Sequence, residues 1–261
     1  MGRYPNLKNP STYNEKVNWM KLYDRNPLYV RMADKYEAKK WAASIIGEEH
    51  IIPTLGVWDR FEDIDFDSLP QQFVLKCTHD TGSIIICKDK TSFDKNSARK
   101  QLNKALKHNH YWHAREWVYK HIKPRIIAEQ YVEDKNDGEL RDYKFYCLSG
   151  EPYSMLLATG RQDKEKGLCF DYFDMDFNHL KLVNHWHPNA STIPHKPDHF
   201  EDMKKFAKQL SEGIPQVRAD FYEVNGKVLF GEMTFYDMGG CLKIHPDQWD
   251  LEWGELIILP S

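Results

Sequence analysis

The residues best suited to chemistry lie near the C-terminal end of the chain, in the segment VRADFYEVNGKVLFGEMTF, residues 217–235. Apolar residues on both sides of Asn225-Gly226 predict two antiparallel strands joined by a tight turn. Asp220 and Glu232 lie on these strands, and Mg²⁺ is typically bound by one or two carboxylates together with substrate phosphates. The segment therefore predicts a magnesium site, with two independent, solvent-facing carboxylates as the alternative.

The register of this strand pair decides between the two interpretations. A two-residue turn at Asn225-Gly226 would put Asp220 and Glu232 on opposite faces, because a slip of one residue reverses the face of every side chain. A three-residue loop with a bulge would put both on one face. The magnesium hypothesis therefore predicts an odd-length loop.

A second candidate is Lys76, in the stretch FVLKCTHDTGS, residues 73–83. The chain contains neither G-x-x-x-x-G-K-[ST] nor G-x-G-x-x-G, so the common nucleotide-binding loops are absent. A lysine inside an apolar strand needs a partner, because burying a lone ammonium is costly. That partner is either a phosphate or a carboxylate such as Asp80 or Glu129, and the stretch alone favours the carboxylate.

A third candidate is the stretch RIIAEQYVED, residues 125–134, which predicts a strand running through Glu129. An edge backbone at Gln130 to Val132 would offer one carbonyl and one N–H to an adenine ring. A nearby acidic residue would then bind ribose hydroxyls.

The elements that must position these residues alternate between helical and strand patterns. Two helical patterns occupy residues 12–46 and are separated at Asn26-Pro27. Short apolar runs then predict strands, and residues 94–121 predict an amphipathic helix or helix pair. DYKFYCL and YSMLLAT predict a hairpin, residues 161–200 a long excursion, and FEDMKKFAKQLSEG a helix.

Composition excludes several classes of protein. A net charge of -3 over 261 residues gives no electrostatic footprint for nucleic acid. No apolar run approaches the ~20 residues of a membrane span, and the N-terminus lacks the apolar segment of a signal peptide. Five scattered cysteines argue against a disulfide framework or a structural zinc site. We therefore expect a cytoplasmic protein without stable membrane insertion.

In order along the chain, these stretches resemble the ATP-grasp superfamily, and more closely the TupA-like ATP-grasp proteins, named for teichuronopeptide biosynthesis. The resemblance covers nearly the whole sequence. It is carried by NEKVNWMKLYDRNPLYVRMADKY, FVLKCTHDTGS, REWVYKHIKPRIIAEQYV, DYKFYCLSGEPY and VRADFYEVNGKVLFGEMTF.

The resemblance implies a nucleotide site. Lys76 would hold the ATP phosphates under the following loop, and Asp142 would bind the ribose. The phosphate-loop residues are Thr78, Thr81, Gly82 and Ser83. The adenine-binding residues are Glu129, Gln130, Tyr131 and Val132.

The resemblance also implies a catalytic site. Lys144 would lie near the phosphates or the acyl phosphate, and Arg161 and Arg218 would stabilise charge during phosphorylation and attack. Asp220, Glu232 and Thr234 would bind Mg²⁺.

The fold implied is α/β in class, an ATP-grasp fold of two α+β lobes with ATP between them. Residues 1–50 would form an N-terminal helical segment in place of a truncated preceding domain. Residues 51–125 would form the first lobe with the phosphate loop, and residues 126–261 the second lobe with the adenine hinge and the metal site.

The activity implied is that of an ATP-dependent carboxylate-amine ligase, which forms an amide by way of an acyl phosphate. By analogy it would attach an amino acid or amine to a uronic acid in capsule, O-antigen or cell-wall polysaccharide biosynthesis.

Two residues depart from the family pattern. Thr234 replaces an Asn, and Asp80 puts a negative charge in a phosphate loop.

Two other functions stay open. Asp174-Met175-Asp176 is similar to the D-x-D of metal-dependent glycosyltransferases that use a sugar nucleotide, and an ATP-binding protein without catalysis is also compatible. Histidines at His185 and His187 could line an acceptor cleft.

Overall fold

The computed structural model describes residues 4–134, 140–161 and 167–260. Within these ranges the helices are α1 (Tyr13–Tyr23), α2 (Pro27–Ala33), α3 (Lys35–Ile46), α4 (Lys95–Leu106), α5 (Tyr111–Ala114), α6 (Phe200–Ser211) and α7 (Trp249–Leu256). The strands are β1 (Thr54–Trp58), β2 (Phe73–Cys77), β3 (Ile85–Cys87), β4 (Ile126–Gln130), β5 (Asp142–Leu148), β6 (Glu151–Thr159), β7 (Cys169–Phe173), β8 (Val183–Asn184), β9 (Gln216–Val224), β10 (Lys227–Thr234) and β11 (Ile244–His245). In the described part of the chain, no helix is long and apolar enough to cross a membrane.

The chain divides into two compact units. The larger unit comprises Met1–Arg25, Ser44–His50 and Glu133–Ser261, and the smaller comprises Asn26–Ala43 and Ile51–Val132. The strand that contains Glu129, assigned from the sequence to the second lobe, lies in the smaller unit. The lobe boundaries stay a prediction.

The smaller unit is built on a four-stranded antiparallel sheet in the order β1-β4-β2-β3. Successive side chains of β2 alternate between two faces, as the strand geometry requires. Phe73, Leu75 and Cys77 are fully buried in a core that also contains Leu102 of α4. Lys76 therefore lies on the face opposite this core.

The larger unit is built on a five-stranded antiparallel sheet in the order β10-β9-β5-β6-β7. One face of the sheet is apolar. Its Phe145 ring lies 5.7 Å from the ring of Phe200 on α6, and Phe221 is also fully buried there. This packing leaves the opposite face of β5, β9 and β10 for the polar residues described below.

The N-terminal helix α1 is fixed at its start and along one side. Thr12 and Glu15 form a capping box, in which each side chain accepts a hydrogen bond from the backbone N–H of the other. The buried Tyr13 ring lies 5.5 Å from Trp249 and 5.7 Å from Trp253 of α7. Helices α1 and α7 thus pack together through aromatic rings.

The observed elements confirm the mixed α and β class predicted from the sequence. Both predicted hairpins form, as β5–β6 and β9–β10. The helical pattern of residues 94–121 becomes α4, the short α5 and a 3-10 helix, Trp117–His121. The excursion at residues 161–200 contains β7 and β8, and its residues 162–166 lie outside the described ranges.

Candidate active site

In the smaller unit, one carboxylate is shared by two lysines. Lys76 Nζ lies 2.6 Å from Glu129 Oε2, and Lys39 Nζ lies 2.7 Å from Glu129 Oε1. In the register of the sheet Lys76 pairs with Ile127, so Glu129 is its diagonal neighbour on the same face. Lys39 reaches the carboxylate from α3. In the structure the partner of Lys76 is thus the carboxylate Glu129, one of the two kinds of partner that the sequence left open.

The protonation of this cluster reflects an excess of positive charge. Burial raises the pKa of Glu129, but the charges of Lys76 and Lys39 outweigh it and the net pKa is lowered. Burial lowers the pKa of Lys39, and the charge of Lys76 adds to that effect against the attraction of Glu129. Two ammonium groups and one carboxylate leave one positive charge that a phosphate could pair with.

Asp80 forms hydrogen bonds within its own loop, which follows β2. Its carboxylate is buried and accepts a hydrogen bond of 2.7 Å from the Ser83 hydroxyl. The Ser83 oxygen in turn accepts a bond of 2.8 Å from the backbone N–H of Cys77. Asp80 therefore closes its own loop and does not present its charge outward. Lys35 Nζ also donates to the backbone carbonyl of Asp80.

Other residues of this loop differ in what they expose. Thr78 is fully buried and donates to the Lys123 carbonyl at 3.4 Å, so its hydroxyl and that of Ser83 bond within the unit. Thr81 and Gly82 are exposed, and Gly82 has φ +94°, a conformation that favours glycine. Their backbone groups are thus the accessible part of the predicted phosphate loop.

The predicted adenine-binding segment follows β4, which lies inside the sheet between β1 and β2. The expectation of an edge strand is therefore wrong. The N–H of Gln130 donates to the Pro53 carbonyl at 3.0 Å and is engaged. Tyr131 and Val132 come after the strand, and an open groove of about 600 Å³ lies beside Gln130 and Tyr131. The groove is also lined by Leu55, Pro70, Gln71, Gln72, Lys88 and Asp89.

In the larger unit, Asp220 and Glu232 are directly paired across β9 and β10 and share one face. The turn at Asn225-Gly226 has two residues, since Lys227 pairs with Val224. The expectation of an odd-length loop is therefore wrong. The register instead shifts within β10, between Phe230 and Glu232, where Gly231 forms a bulge. A Cβ on Gly231 would lie 3.0 Å from the Asp220 carbonyl oxygen, a tight contact, so this close approach favours glycine.

The same face of the sheet brings further predicted residues together. Lys144 pairs with Asp220, and Thr234 pairs with Arg218. Asp142 and Tyr146 lie two residues on either side of Lys144 on β5, so strand alternation puts them on this face too.

Asp220 is surrounded by cations. Arg218 donates to Asp220 through Nε to Oδ1 at 2.8 Å and through Nη2 to Oδ2 at 2.9 Å. Lys144 Nζ donates to Oδ2 at 2.5 Å. Burial raises the pKa of Asp220, but the charges of Arg218 and Lys144 outweigh it and the pKa is lowered. Asp220 is therefore ionised, and it orients both cations.

Asp237 and Tyr146, which no sequence pattern singled out, complete the network: Asp237 holds Arg218, and Tyr146 holds Asp237. Arg218 Nη1 donates to Asp237 Oδ1 at 2.8 Å, and the Tyr146 hydroxyl donates to Asp237 Oδ2 at 2.5 Å. Burial first, and then the charge of Asp237, raise the pKa of Tyr146 well above its ordinary value. Tyr146 thus stays protonated and acts as a donor.

Arg161 and Asp142 form an ion pair at one end of this face. Arg161 Nη2 donates to Asp142 Oδ2, and Lys144 Nζ lies 3.6 Å from the same oxygen. The Arg161 side chain is 58% exposed, whereas Asp142 is buried. Asp142 Oδ1 is buried and has no hydrogen-bond partner within the described ranges. A buried acceptor of this kind is open to a donor from a ligand.

The donor set can be compared with what Mg²⁺ requires. Within residues 4–134, 140–161 and 167–260, no three His, Cys, Asp or Glu side chains cluster as a metal site. Asp220, Glu232 and Thr234 offer oxygen donors, which Mg²⁺ prefers, and each carboxylate oxygen has two lone pairs. The Glu232 side chain is 42% exposed, with Oε1 3.8 Å from Arg218 Nη2. Asp220 Oδ1, Glu232 and Thr234 therefore keep lone pairs for the predicted ion, and the magnesium site stays a prediction.

A pocket of about 240 Å³ opens beside the Arg218 network. Its lining includes Lys144, Tyr146, Arg218 and Asp237 from that network. The remaining lining residues are Leu156, Phe170, Asn184, Trp186, His187, Met238 and Leu242.

The D-x-D segment has a structural role in a turn. Asp174 Oδ1 accepts hydrogen bonds from the backbone N–H of Asp176 at 2.9 Å and of Asn178 at 2.8 Å. Its Oδ2 accepts one from the Asn178 side chain at 2.9 Å. Although burial raises the pKa of Asp174, these bonds lower it overall. The geometry is that of a carboxylate that stabilises the turn after β7.

Comparison with known families decides the assignment. The chain matches the family described as TupA-like ATPgrasp over residues 15–258. This chain belongs to the TupA-like ATP-grasp family. The resemblance stated from the sequence is thereby confirmed. None of the curated proteins matches the chain.

Solved structures similar to this TupA-like chain include two named as D-alanine–D-alanine ligases. The one from Bacillus anthracis, complexed with ATP, is 14% identical with a TM-score of 0.44, and the match covers 78% of this chain and 53% of that one. The one from Helicobacter pylori is 13% identical with a TM-score of 0.47 and coverages of 95% and 70%. D-cycloserine synthetase DcsG is 14% identical, with a TM-score of 0.46 and coverages of 88% and 70%. The TupA-like chain thus spans about half the length of the Bacillus anthracis ligase.

Proposed function

We propose that this chain is an ATP-dependent carboxylate-amine ligase. In the proposed reaction, it attaches an amino acid or amine to a uronic acid in capsule, O-antigen or cell-wall polysaccharide biosynthesis. The observation that carries the proposal is the sheet face on which Lys144, Arg218 and Asp220 form one buried network, in a chain of the TupA-like ATP-grasp family. The uronic acid and the pathway follow from family resemblance alone.

The proposed reaction has two steps. A carboxylate oxygen of the acid attacks the γ-phosphorus of ATP, which gives an acyl phosphate and ADP. The amine nitrogen then attacks the acyl carbon, the bond from that carbon to the phosphate oxygen breaks, and inorganic phosphate leaves as the nitrogen loses a proton. Such a reaction depends on positioning and charge stabilisation and needs no covalent nucleophile from the protein.

The two units contribute different residues to this reaction. In the smaller unit Lys76 binds the ATP phosphates, assisted by Lys39, and the Thr81-Gly82 backbone lies over them. Gln130, Tyr131 and Val132 meet the adenine. In the larger unit Asp142 binds the ribose.

Lys144, Arg161 and Arg218 stabilise the negative charge that develops on the acid and on the transferred phosphoryl group. Asp220, Glu232 and Thr234 would hold Mg²⁺, which neutralises phosphate charge when it is bound.

The proposal is tested by ADP release from the purified chain with ATP and magnesium. D-Glucuronate and a panel of amino acids are supplied separately and together. We expect sustained ADP release, over many turnovers, only when both an acid and an amine are present, and a loss of about a hundredfold or more in Asp220→Asn and Glu232→Gln.

The matched control is Asp174→Asn, in which the turn carboxylate becomes an amide. It should release ADP at the rate of the unmodified protein, whereas a glycosyltransferase would lose its activity in this variant. Full activity in both Asp220→Asn and Glu232→Gln would exclude the assigned metal site. Sustained ADP release over many turnovers without an amine would exclude the ligase.

A further inference from the structure

The pocket beside the Arg218 network has two chemically unlike ends. One end presents Lys144 and Arg218, together with Asp237. The other end presents Phe170, Trp186 and His187, three flat rings. Pockets that combine an aromatic wall with a few fixed polar groups are typical of small-molecule sites.

The aromatic end is held in place by the backbone around it. Strand β8 pairs with β11, and the N–H of His185 donates to the Lys243 carbonyl at 3.0 Å. The buried Asn184 side chain accepts a hydrogen bond from the backbone N–H of Trp186 at 2.9 Å and donates to the Tyr172 hydroxyl at 3.2 Å.

A second asparagine fixes the other side of this wall. Asn189 donates from its Nδ2 to the carbonyls of both Phe170 and Leu182 at 3.1 Å. The Phe170 and His187 rings then lie 4.4 Å apart. The aromatic wall is therefore preorganised, which lowers the entropic cost of binding a ligand.

Trp186 is 45% exposed although it lines this pocket. A tryptophan that served only to fill the core would be buried against apolar neighbours. The neighbour of Trp186 is the edge of His185, at 5.2 Å and 90°. The indole thus retains accessible apolar surface in a pocket that Lys144 and Arg218 also line.

The cationic end keeps donors for a ligand. Among the described residues, the hydrogen bonds of Arg218 to Asp220, Asp237 and Thr234 use four of its five N–H groups. The contacts of Lys144 within the same ranges, to Asp220 and Asp142, engage at most two of its three. At least one donor on each cation is left for a carboxylate oxygen.

We propose, on the basis of the ligase function above, that this pocket binds the acid substrate as a single carboxylate-bearing sugar ring. The apolar C–H face of the ring stacks on Trp186 and His187, and its carboxylate lies at Lys144 and Arg218. The volume of about 240 Å³ is below the roughly 300–1,000 Å³ of pockets for drug-sized ligands, so it suits a single ring.

Each half of the pocket excludes a different class of compound. A neutral sugar stacks but offers no carboxylate to the remaining donors of Lys144 and Arg218, and a flexible dicarboxylic acid reaches those donors but offers no flat apolar face. A hexuronic acid satisfies both ends. Trp186 is then a specificity-determining residue for the acid.

The test measures binding by calorimetry and ADP release with three probes, D-glucuronate, D-glucose and succinate. The variants are Trp186→Ala and Trp186→Phe. The control is Trp112→Ala, which removes a 63% exposed tryptophan from α5 in the smaller unit. Thermal unfolding of each variant establishes that it is folded.

We expect the unmodified chain to prefer D-glucuronate over both other probes. In Trp186→Ala the Kd and KM for D-glucuronate should rise about tenfold, which corresponds to the loss of one aromatic stacking contact. Trp186→Phe should restore part of the affinity, and Trp112→Ala should change neither constant.

Two results would overturn the proposed subsite: equal D-glucuronate affinity in Trp186→Ala, or succinate binding as tight as that of D-glucuronate. Failure of the ligase function gives a different pattern. D-Glucuronate would then bind in a manner that depends on Trp186, while no amine elicits ADP release.

Discussion

The two units each contain an ionic cluster, and the clusters have opposite charge balance. In the smaller unit, Lys39 and Lys76 share the single carboxylate of Glu129. In the larger unit, Lys144, Arg161 and Arg218 contact four carboxylates, namely Asp142, Asp220, Glu232 and Asp237. The cluster of the smaller unit has an excess of one positive charge. The cluster of the larger unit has an excess of one negative charge.

This difference indicates what each cluster is prepared to bind. An excess buried cation is costly, and the lowered pKa of Lys39 reflects that cost, so an anion such as a phosphate relieves it. An excess of carboxylate on the other sheet face is relieved by a cation, which is the balance that a magnesium site needs. Asp220 is already ionised, so an arriving ion does not have to displace a proton from it.

Among the variants that test this comparison, Glu129→Gln should have the largest effect on stability. It leaves two buried ammonium groups without their carboxylate, so we expect the free energy of unfolding to fall by about 3–5 kcal/mol. ATP should then stabilise the variant more than the parent, because its phosphates replace the lost charge. Thermal unfolding with and without ATP measures both effects.

The matched control is Asp59→Asn in the same unit. Asp59 pairs with Lys123 at 2.7 Å, a distance close to that of Lys76 and Glu129, but both side chains are more than half exposed. The change should cost about 1 kcal/mol or less. If Glu129→Gln were as stable as the parent, the charges of Lys39 and Lys76 would not destabilise the fold when their carboxylate is removed.

Lys76→Met tests the proposed phosphate contact within the same cluster. Removal of one charge-assisted hydrogen bond should weaken ATP binding by about 1.5–3 kcal/mol, since the long apolar side chain keeps most of the packing. Lys123→Met, the equivalent change at the exposed pair, should leave ATP affinity unchanged. Calorimetric titration with ATP compares the two, and an unchanged affinity in Lys76→Met would remove Lys76 from the nucleotide site.

Sequence alone could predict the local features of these clusters. Strand alternation in FVLKC puts Lys76 opposite the core, and the same alternation in DYKFY puts Tyr146 on the face of Asp142 and Lys144. Lys39 was missed although a signal existed. It lies on the buried side of α3, at helical spacing from Ala42, Ala43 and Ile46.

The features that failed depend on distant parts of the chain. Whether β4 is an edge or an inner strand depends on the pairing of β1, which is some seventy residues away in sequence. The loop between β9 and β10 was mispredicted because the register shift lies at Gly231, inside the strand. An isolated glycine in a strand pattern indicates such a bulge, and that signal was present.

Asp237 had no such signal. It lies in the irregular segment after β10, where Met238 has φ 48° and no periodicity identifies a face. Its partners Tyr146 and Arg218 lie on two other strands. The role of Asp237 therefore becomes visible only when the sheet is assembled.

Tyr146→Phe has the smallest expected effect, and it tests whether Asp237 positions Arg218. The change removes the 2.5 Å hydrogen bond from the Tyr146 hydroxyl to Asp237, so we expect a loss of about 1 kcal/mol in unfolding free energy. If the freed carboxylate lets Arg218 shift, kcat should fall about fivefold while the KM for ATP stays constant.

The control, Tyr153→Phe, alters a 40% exposed tyrosine on β6 and should change neither value. Urea unfolding and steady-state ADP release separate the two effects. A stability loss without a change in kcat would mean that Asp237 holds Arg218 in place without the hydrogen bond from Tyr146.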